Sequence, residues 1–144
     1  MVVSDGNGVP LSLLVGSAQP NERHWVEPTL ARLVVPQPRG RARTRPKVLV
    51  ADRNFDGEAL RQQLRRRGIQ PCIPRQRRPH RRMPRRGRPL KLEPYYSHRW
   101  KAERTFAWLY NCRRLLVRHE RLLHCFAGFC ILACIQLCIS LILK

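Results

Sequence analysis

Two carboxylates stand at positions where the sequence pattern could support chemistry. Asp52 follows the apolar residues Val48 to Ala51, which predict a buried strand. Ligands of α/β sheets bind beyond the carboxyl ends of strands, although an aspartate there often only accepts backbone hydrogen bonds. The chain has 9 Asp and Glu among 144 residues, so few side chains are available as oxygen ligands for a metal ion. Asp52 is therefore one of a small number of candidates.

Glu103 is the second candidate, on a predicted helix with aromatic neighbours. The residues that share its face by helical spacing are Tyr96, Trp100, Phe106, Ala107 and Tyr110. A carboxylate buried in an aromatic face is costly unless a cation or metal ion compensates for it. The alternative is an ion pair with Arg99 on a solvated face, which contributes only about 0.3 kcal/mol. The aromatic surroundings favour a functional role.

Three further acidic residues are better explained by structural roles than by metal binding. Asp56 is suited to cap the helix that follows it, and Glu58 to lie in the first turn of that helix. Asp5 lies in an Asp-Gly, Asn-Gly turn and is a poor metal ligand there.

The net charge of +20 predicts a polyanionic partner. Nucleic acid is the first candidate, and an anionic membrane surface is the second. Residues 75–91 contain eight arginines, one lysine and three prolines, which predicts a loop or an arm that becomes ordered on nucleic acid. Phosphate contacts of this kind carry no sequence preference. The alternative is that these arginines are solvated charges on a loop and have no binding role.

The order of predicted elements is that of an α/β protein. A β-hairpin comes first, around a turn at residues 4–8, and a helix follows over 22–35. A strand at 47–52, a helix at 56–67 ended by Gly68 and a strand at 69–73 form a β-α-β unit. Two helices complete the pattern, at about 95–121 and 126–143.

Residues 126–143 carry no charge and are long enough to cross a thin bilayer. Gln136 and Ser140 interrupt the run, and many of its residues are small, which favours packing inside a protein. The pattern therefore favours a packed helix over a membrane-inserted one. Cys130, Cys134 and Cys138 recur every four residues and suit apolar packing in a reducing cytoplasm.

Two segments resemble a known family. Tyr96-Ser97-His98-Arg99-Trp100-Lys101-Ala102-Glu103 has the pattern Tyr, two residues, Arg, three residues, Glu. Together with Val50-Ala51-Asp52-Arg53-Asn54-Phe55-Asp56, it resembles the C-terminal part of the catalytic domain of DDE transposases from bacterial insertion sequences. The resemblance covers nearly the whole chain, so residues 1–144 are expected to form one partial catalytic domain.

This resemblance implies a ribonuclease H-like fold, with a mixed sheet flanked by helices and three carboxylates that hold two Mg²⁺ ions. Asp52 would be the second and Glu103 the third carboxylate, each a catalytic residue and metal ligand. Arg99 would orient Glu103 or contact DNA phosphate, and Tyr96 would lie one turn earlier. The other arginines expected to bind DNA are Arg85, Arg86, Arg113 and Arg114.

The implied function is DNA transposition, in the cytoplasm, on DNA and not on a small molecule. The first catalytic strand is expected to be missing, so the fragment would be catalytically incomplete. It would act as a homo-oligomer or with a complementing transposase chain. A further departure is Tyr110, which stands where the motif has lysine. The alternatives are a non-enzymatic nucleic-acid-binding protein and a tail-anchored membrane protein.

Overall fold

A computed structural model describes residues 1–17, 19–76 and 92–143 of the chain. The chain divides into two compact units. The first consists of Met1–Thr44 and Trp100–Lys144, and the second of Arg45–Arg99. Both contain strands and helices, which confirms the α/β class.

The first unit begins with the predicted hairpin. Strand β1 (Val2–Ser4) pairs antiparallel with β2 (Pro10–Leu13). Asp5 organises the turn, because its Oδ1 accepts hydrogen bonds from the backbone N–H of Asn7 and of Val9, each at 2.8 Å. Gly8 has a φ of +88°, which glycine adopts without strain. Asp5 is therefore a turn residue here.

Helix α1 (Arg23–Ala31) packs on the hairpin and is shorter than predicted. Its buried residues are Val26, Thr29 and Leu30. Ser12 of β2 donates a hydrogen bond to the Thr29 carbonyl at 2.7 Å in this core. The helix ends early because β-branched Val34 and Val35 precede Pro36 and favour extended backbone.

The prediction of one long helix over about 95–121 is wrong. The observed elements are a 3₁₀ turn (Tyr96–His98), α3 (Trp100–Tyr110) and α4 (Arg113–Leu116). Cys112 and Val117 are in extended conformation on either side of α4. With the helix interrupted at these two residues, Arg114 and Arg118 lie over the rings of Phe129 and Phe126, at 5.5 and 5.2 Å from the ring centroids. A continuous helix would carry these arginines away from their aromatic partners.

The last helix, α5 (Leu123–Ile142), begins three residues before the predicted start. Its length and apolar composition would allow it to cross a membrane, a test that core helices of soluble proteins also pass. Cys130 and Ala133 are its buried residues. Much of the remaining surface is aliphatic and exposed, including Ile131, Leu132, Ile135 and Ile139.

All six cysteines, which lie in the described part of the chain, are free thiols. Burial, followed by the neighbouring thiols of Cys138, Cys130 and Cys112, raises the pKa of Cys134 to about 11. Because the thiolate is the nucleophile, we expect iodoacetamide at mildly alkaline pH to modify exposed Cys125 well before Cys134. The rate at Cys134 should rise as pH approaches 11. Peptide mass spectrometry of a time course measures both rates, and equal rates in the folded protein would contradict the expectation.

The second unit contains the predicted β-α-β arrangement. Strand β3 (Val48–Val50) and β4 (Gln70–Cys72) are parallel, and α2 (Glu58–Arg66) connects them. The N–H of Gln70 and the carbonyl of Cys72 bond to Lys47 and Ala51 beside β3. Pro71 lies between these two positions, where no N–H is needed for the ladder.

Gly68 ends α2, as predicted. It has a φ of +71°. Its N–H bonds to the Arg65 carbonyl at 2.8 Å, and that of Ile69 to the Leu64 carbonyl at 2.9 Å. This pair of bonds is the Schellman motif, and buried Leu64 and Ile69 form its apolar partner contact. The motif directs the chain from α2 into β4.

The described strands form two separate two-stranded sheets, one in each unit. The larger mixed sheet of a ribonuclease H-like domain stays a prediction. The buried side chains of the second unit are Leu60, Leu64, Ile69, Cys72 and Ile73, together with an ion pair described below.

Candidate active site

Asp52 lies two residues after the last residue of β3, at the carboxyl end of the strand as predicted, and is the N-cap of a short 3₁₀ turn (Arg53–Phe55). Its Oδ1 accepts a hydrogen bond from the backbone N–H of Arg53 at 2.7 Å, which fixes the direction of the carboxylate. The side chain is half-buried. This geometry satisfies the simpler explanation of a turn aspartate and also holds the carboxylate at the carboxyl end of the strand.

Asp56, four residues later, has a different role from the predicted one. Gly57 is the N-cap of α2, so the expectation that Asp56 caps the helix is wrong. Its carboxylate is buried beside Arg61, whose Nε and Nη2 donate to Oδ1 at 3.1 and 2.7 Å. Arg61 is 1% exposed and Asp56 6% exposed. Loss of either side chain would leave the other as an uncompensated buried charge. Removal of one partner of such a pair is therefore strongly destabilising. Glu58 lies in the first turn of α2, as predicted.

The Asp56–Arg61 pair also fixes the segment that follows β4. Arg61 Nη2 donates to the Ile73 carbonyl at 2.7 Å, and Asp56 Oδ2 accepts from the Gln76 N–H at 2.9 Å. The pair therefore joins the loop after Asp52 to the chain as it leaves β4. The arginine-rich segment begins there, and its residues 77–91 lie outside the described part of the chain.

Glu103 lies in the first turn of α3, and the face that it shares with the aromatic residues is exposed and not buried. The aromatic residues Trp100, Phe106 and Tyr110 are 48%, 38% and 54% exposed, and Glu103 is exposed as well. The expectation of a carboxylate within a buried aromatic face is therefore wrong. The helix instead buries Thr105 and Leu109. Glu103 is accessible to a ligand from solvent, at no cost of burial.

Thr105 attaches α3 to the hairpin turn. Its hydroxyl donates to the Gly8 carbonyl at 2.7 Å in a buried position. A Cβ at position 8 would lie 3.1 Å from the Thr105 Oγ1 and 3.3 Å from the Lys101 carbonyl oxygen. Only glycine allows this close approach without strain. The contact positions the helix that carries Glu103.

Arg104 is held between two indole rings on the same helix. Its Cζ lies 4.7 Å from the Trp100 ring centroid and 4.8 Å from that of Trp108. Its Nη2 also donates to the Asn7 carbonyl at 3.3 Å. Distances of this size are typical of cation–π interactions. The three side chains form a stack, which we call the Trp100–Arg104–Trp108 stack.

The arginines expected to bind DNA have varied surroundings. Arg99 lies over the Tyr96 ring at 5.9 Å, so these two side chains are adjacent in the second unit. Arg113 is exposed, whereas Arg114 forms an ion pair with Glu120 at 3.2 Å. Arg85 and Arg86 lie outside the described residues. The DNA-binding role of all six residues stays a prediction.

Asp52 and Glu103 have the oxygen donors that Mg²⁺ prefers. They belong to different units. Within residues 1–17, 19–76 and 92–143, no group of three or more His, Cys, Asp and Glu could hold a metal ion. The described residues fit such an ion in donor chemistry, but they do not by themselves make up a metal centre.

Two features were missed by sequence reasoning, and both had a signal. Asp56 and Arg61 are five residues apart across a helix start, where an arginine can reach back to a preceding carboxylate. Trp100, Arg104 and Trp108 are spaced at four residues, the distance at which helical side chains meet. Burial of the first pair and stacking of the second set required the folded structure.

Comparison with known proteins gives one family. The model of the family described as transposase DDE domain matches residues 1–138. The chain is also 36% identical over 138 residues to a putative transposase for insertion sequence element IS402 from Burkholderia cepacia. The match covers 95% of this chain and 60% of that relative. No solved structure is significantly similar to the chain.

Proposed function

Because the chain belongs to the transposase DDE domain family, we propose that it takes part in DNA transposition by metal-dependent cleavage and strand transfer. The family match over residues 1–138 carries the proposal. It includes both Asp52 and Glu103, so the two candidate carboxylates lie inside the matched region. The chain spans 60% of the length of its relative. The activity proposed here is that of the whole protein.

Asp52 and Glu103 are the proposed metal ligands, and Mg²⁺ is the proposed ion. Divalent metal ions are general in this family, and carboxylate oxygens suit Mg²⁺. A bound pair of such ions would activate the attacking oxygen and stabilise the leaving oxygen of an in-line displacement. The residues of this chain contribute by position. The Arg53 N–H orients the Asp52 carboxylate. The exposure of Glu103 leaves its carboxylate accessible to a metal ion.

DNA is the proposed substrate and partner. The net charge of +20 supports this, since cationic side chains displace counterions from the phosphate backbone. We propose that Tyr96, Arg99, Arg113, Arg114, Arg85 and Arg86 contribute phosphate contacts. The ribonuclease H-like fold, the cytoplasmic location and assembly with further transposase chains belong to the same proposal.

Removal of divalent metal ions tests the proposal directly. We expect the whole protein, in which Asp52 and Glu103 are joined by the remaining catalytic carboxylate, to cleave duplex DNA that carries the ends of its element in Mg²⁺ and to show no cleavage above background in excess chelator. Duplex binding should persist in chelator, because the arginines and not the metal hold the backbone. Gel analysis of end-labelled DNA measures cleavage, and fluorescence anisotropy measures binding.

The main alternative is a non-enzymatic nucleic-acid-binding protein, which the net charge of +20 also supports. It predicts salt-sensitive DNA binding with no cleavage in either condition, and no effect of Asp52→Ala on binding. Binding without any metal-dependent cleavage would therefore favour this alternative over the transposase.

A further inference from the structure

Residues 36–42 form a loop of the first unit, which we call the Gly40 loop. Two backbone hydrogen bonds between Val35 and Arg43, at 2.8 and 2.9 Å, close this loop at its base. Pro36 and Pro38 follow the base, and the ring of each proline restricts the backbone φ angle to a narrow range. The Gly40 loop is therefore closed at its base and restricted in conformation along one side.

The tip of the Gly40 loop consists of Arg39, Gly40 and Arg41, all of which are exposed. Gly40 has a φ of +88°, which glycine adopts without strain. Within the described part of the chain, and apart from its two neighbours in sequence, no atom lies within 4 Å of the point where a Cβ of residue 40 would stand. Glycine serves where a backbone must approach a ligand closely. The backbone at this tip is therefore open to a ligand.

The charge of this segment favours an anionic ligand. Arg39, Arg41 and Arg43 occupy alternate positions and are all exposed. The sequence contains no acidic residue between Glu27 and Asp52. The positive charge of the three guanidinium groups is therefore not offset within their own segment. A cationic surface of this kind attracts a polyanion.

The shape of the Gly40 loop favours the minor groove of duplex DNA over the major groove. The major groove is about 12 Å wide and accommodates a helix, whereas the minor groove is about 6 Å wide. A loop tip whose central residue has no side chain is suited to the narrower groove, with one arginine on each side of Gly40. The minor groove of A·T tracts is especially narrow, and its strong negative potential attracts arginine. The minor groove of A-form RNA is wide and shallow, so RNA is a poorer ligand for this loop.

We propose that the Gly40 loop inserts Arg39 and Arg41 into the minor groove of A·T-rich duplex DNA. Their guanidinium groups donate hydrogen bonds to adenine N3 and thymine O2, the acceptors on the floor of that groove. The 2-amino group of guanine is a donor at the same place, so the site prefers A·T pairs to G·C pairs. This inference rests on the proposed function for the choice of DNA as the ligand. It adds a site that distinguishes base pairs to the arginines that are proposed to contact phosphate.

Binding of the full chain to three labelled duplexes of equal length, in chelator, tests the inference without any cleavage. The duplexes contain A·T pairs, G·C pairs or inosine·C pairs. Inosine lacks the 2-amino group, so an inosine·C pair resembles A·T in the minor groove and G·C in the major groove. We expect A·T and inosine·C duplexes to bind with affinities within about twofold of each other, and the G·C duplex to bind about tenfold more weakly. Fluorescence anisotropy measures the three Kd values.

Equal affinity for all three duplexes would overturn the inference. An inosine·C duplex that binds as weakly as the G·C duplex would also overturn it, because the preference would then come from the major groove.

A double variant, Arg39→Lys with Arg41→Lys, tests the residues while it keeps the charge of the loop. Lysine is more strongly hydrated than arginine and lacks the planar guanidinium, so it enters a narrow groove less favourably. We expect the preference for A·T over G·C to fall from about tenfold to within about twofold, with little change in the affinity for G·C. Circular dichroism verifies that the variant is folded.

Arg65→Lys with Arg66→Lys is the matched control, because these two arginines are exposed on α2 and undergo the same chemical change. The control should keep the full preference for A·T. Retention of the preference by the Arg39 and Arg41 variant, or its loss in the control, would overturn the assignment to the Gly40 loop. Metal-dependent cleavage by the whole protein without any A·T preference would refute this inference alone, whereas absence of all DNA binding would contradict the proposed function.

Discussion

In the whole protein, replacement of Asp52 by asparagine, or of Glu103 by glutamine, is expected to lower metal-dependent DNA cleavage by about 1000-fold. Each change keeps the size of the side chain and removes the negative charge that would hold the metal ion. A catalytic metal supplies several kcal/mol of transition-state stabilisation, and each 1.36 kcal/mol corresponds to about tenfold in rate. The Asp52 variant keeps an oxygen that can accept from the Arg53 N–H, so the local turn should remain intact.

The matched control is Glu58→Gln in α2. Glu58 is an exposed carboxylate whose ion pair with Arg65 is 3.5 Å long. The control should leave cleavage within about twofold, because exposed pairs of this type contribute little. Single-turnover cleavage of end-labelled DNA gives the rates, and anisotropy verifies that duplex binding is unchanged. Full cleavage by either carboxylate variant would show that the residue is not a metal ligand.

Replacement of Asp56 by alanine is expected to destabilise the second unit by about 3–5 kcal/mol. The change leaves the Arg61 guanidinium in a position that is 1% exposed, where it still donates to the Ile73 and Pro74 carbonyls but has lost its carboxylate partner. It also removes the acceptor for the Gln76 N–H. Hydrogen exchange of the amides in α2 and β4 measures the local opening energy, since this pair stabilises that unit specifically.

Two companion variants make this prediction specific to the ion pair. Glu58→Ala removes an exposed carboxylate from the same unit and should change stability by less than about 1 kcal/mol. The double variant Asp56→Ala with Arg61→Met removes both charges and should be more stable than Asp56→Ala alone. Equal exchange rates in Asp56→Ala and the unsubstituted chain would show that the pair does not stabilise this unit.

Several elements could be predicted from local sequence because neighbouring residues determine them. The Asp-Gly and Asn-Gly pairs predicted the hairpin turn, and Gly68 predicted the end of α2. The apolar run ending at Asp52 predicted a strand with a carboxylate at its end. The two motifs around Asp52 and Glu103 were sufficient for the family, which the comparison confirms. Their roles as metal ligands stay predictions.

The wrong predictions concern the long helix over about 95–121 and the burial of the Glu103 face. Both depend on contacts between residues that are distant in sequence. The helical periodicity of the sequence continues past Tyr110, but the helix is interrupted at Cys112. This interruption allows Arg114 and Arg118 to lie over the rings of Phe129 and Phe126 in α5. Periodicity also grouped Glu103 with aromatic residues correctly, yet it could not show whether that face is buried. The contact between Thr105 and Gly8 selects the opposite face of α3 for burial.

The sequence by itself determined the family, the order of the strands and of α1 and α2, and the place of Asp52 after a strand and of Glu103 on a helix, because motifs and turns depend on short-range spacing. Only the tertiary structure decided that Asp56 is a buried partner of Arg61 and that the Arg104 guanidinium lies over the rings of Trp100 and Trp108. Burial and stacking depend on which surfaces meet, and that is a property of the folded chain. Carboxylate side chains therefore have different roles at different places in the fold. Asp5 accepts hydrogen bonds in a turn, Asp56 is a buried ion-pair partner, and Glu103 is exposed to solvent.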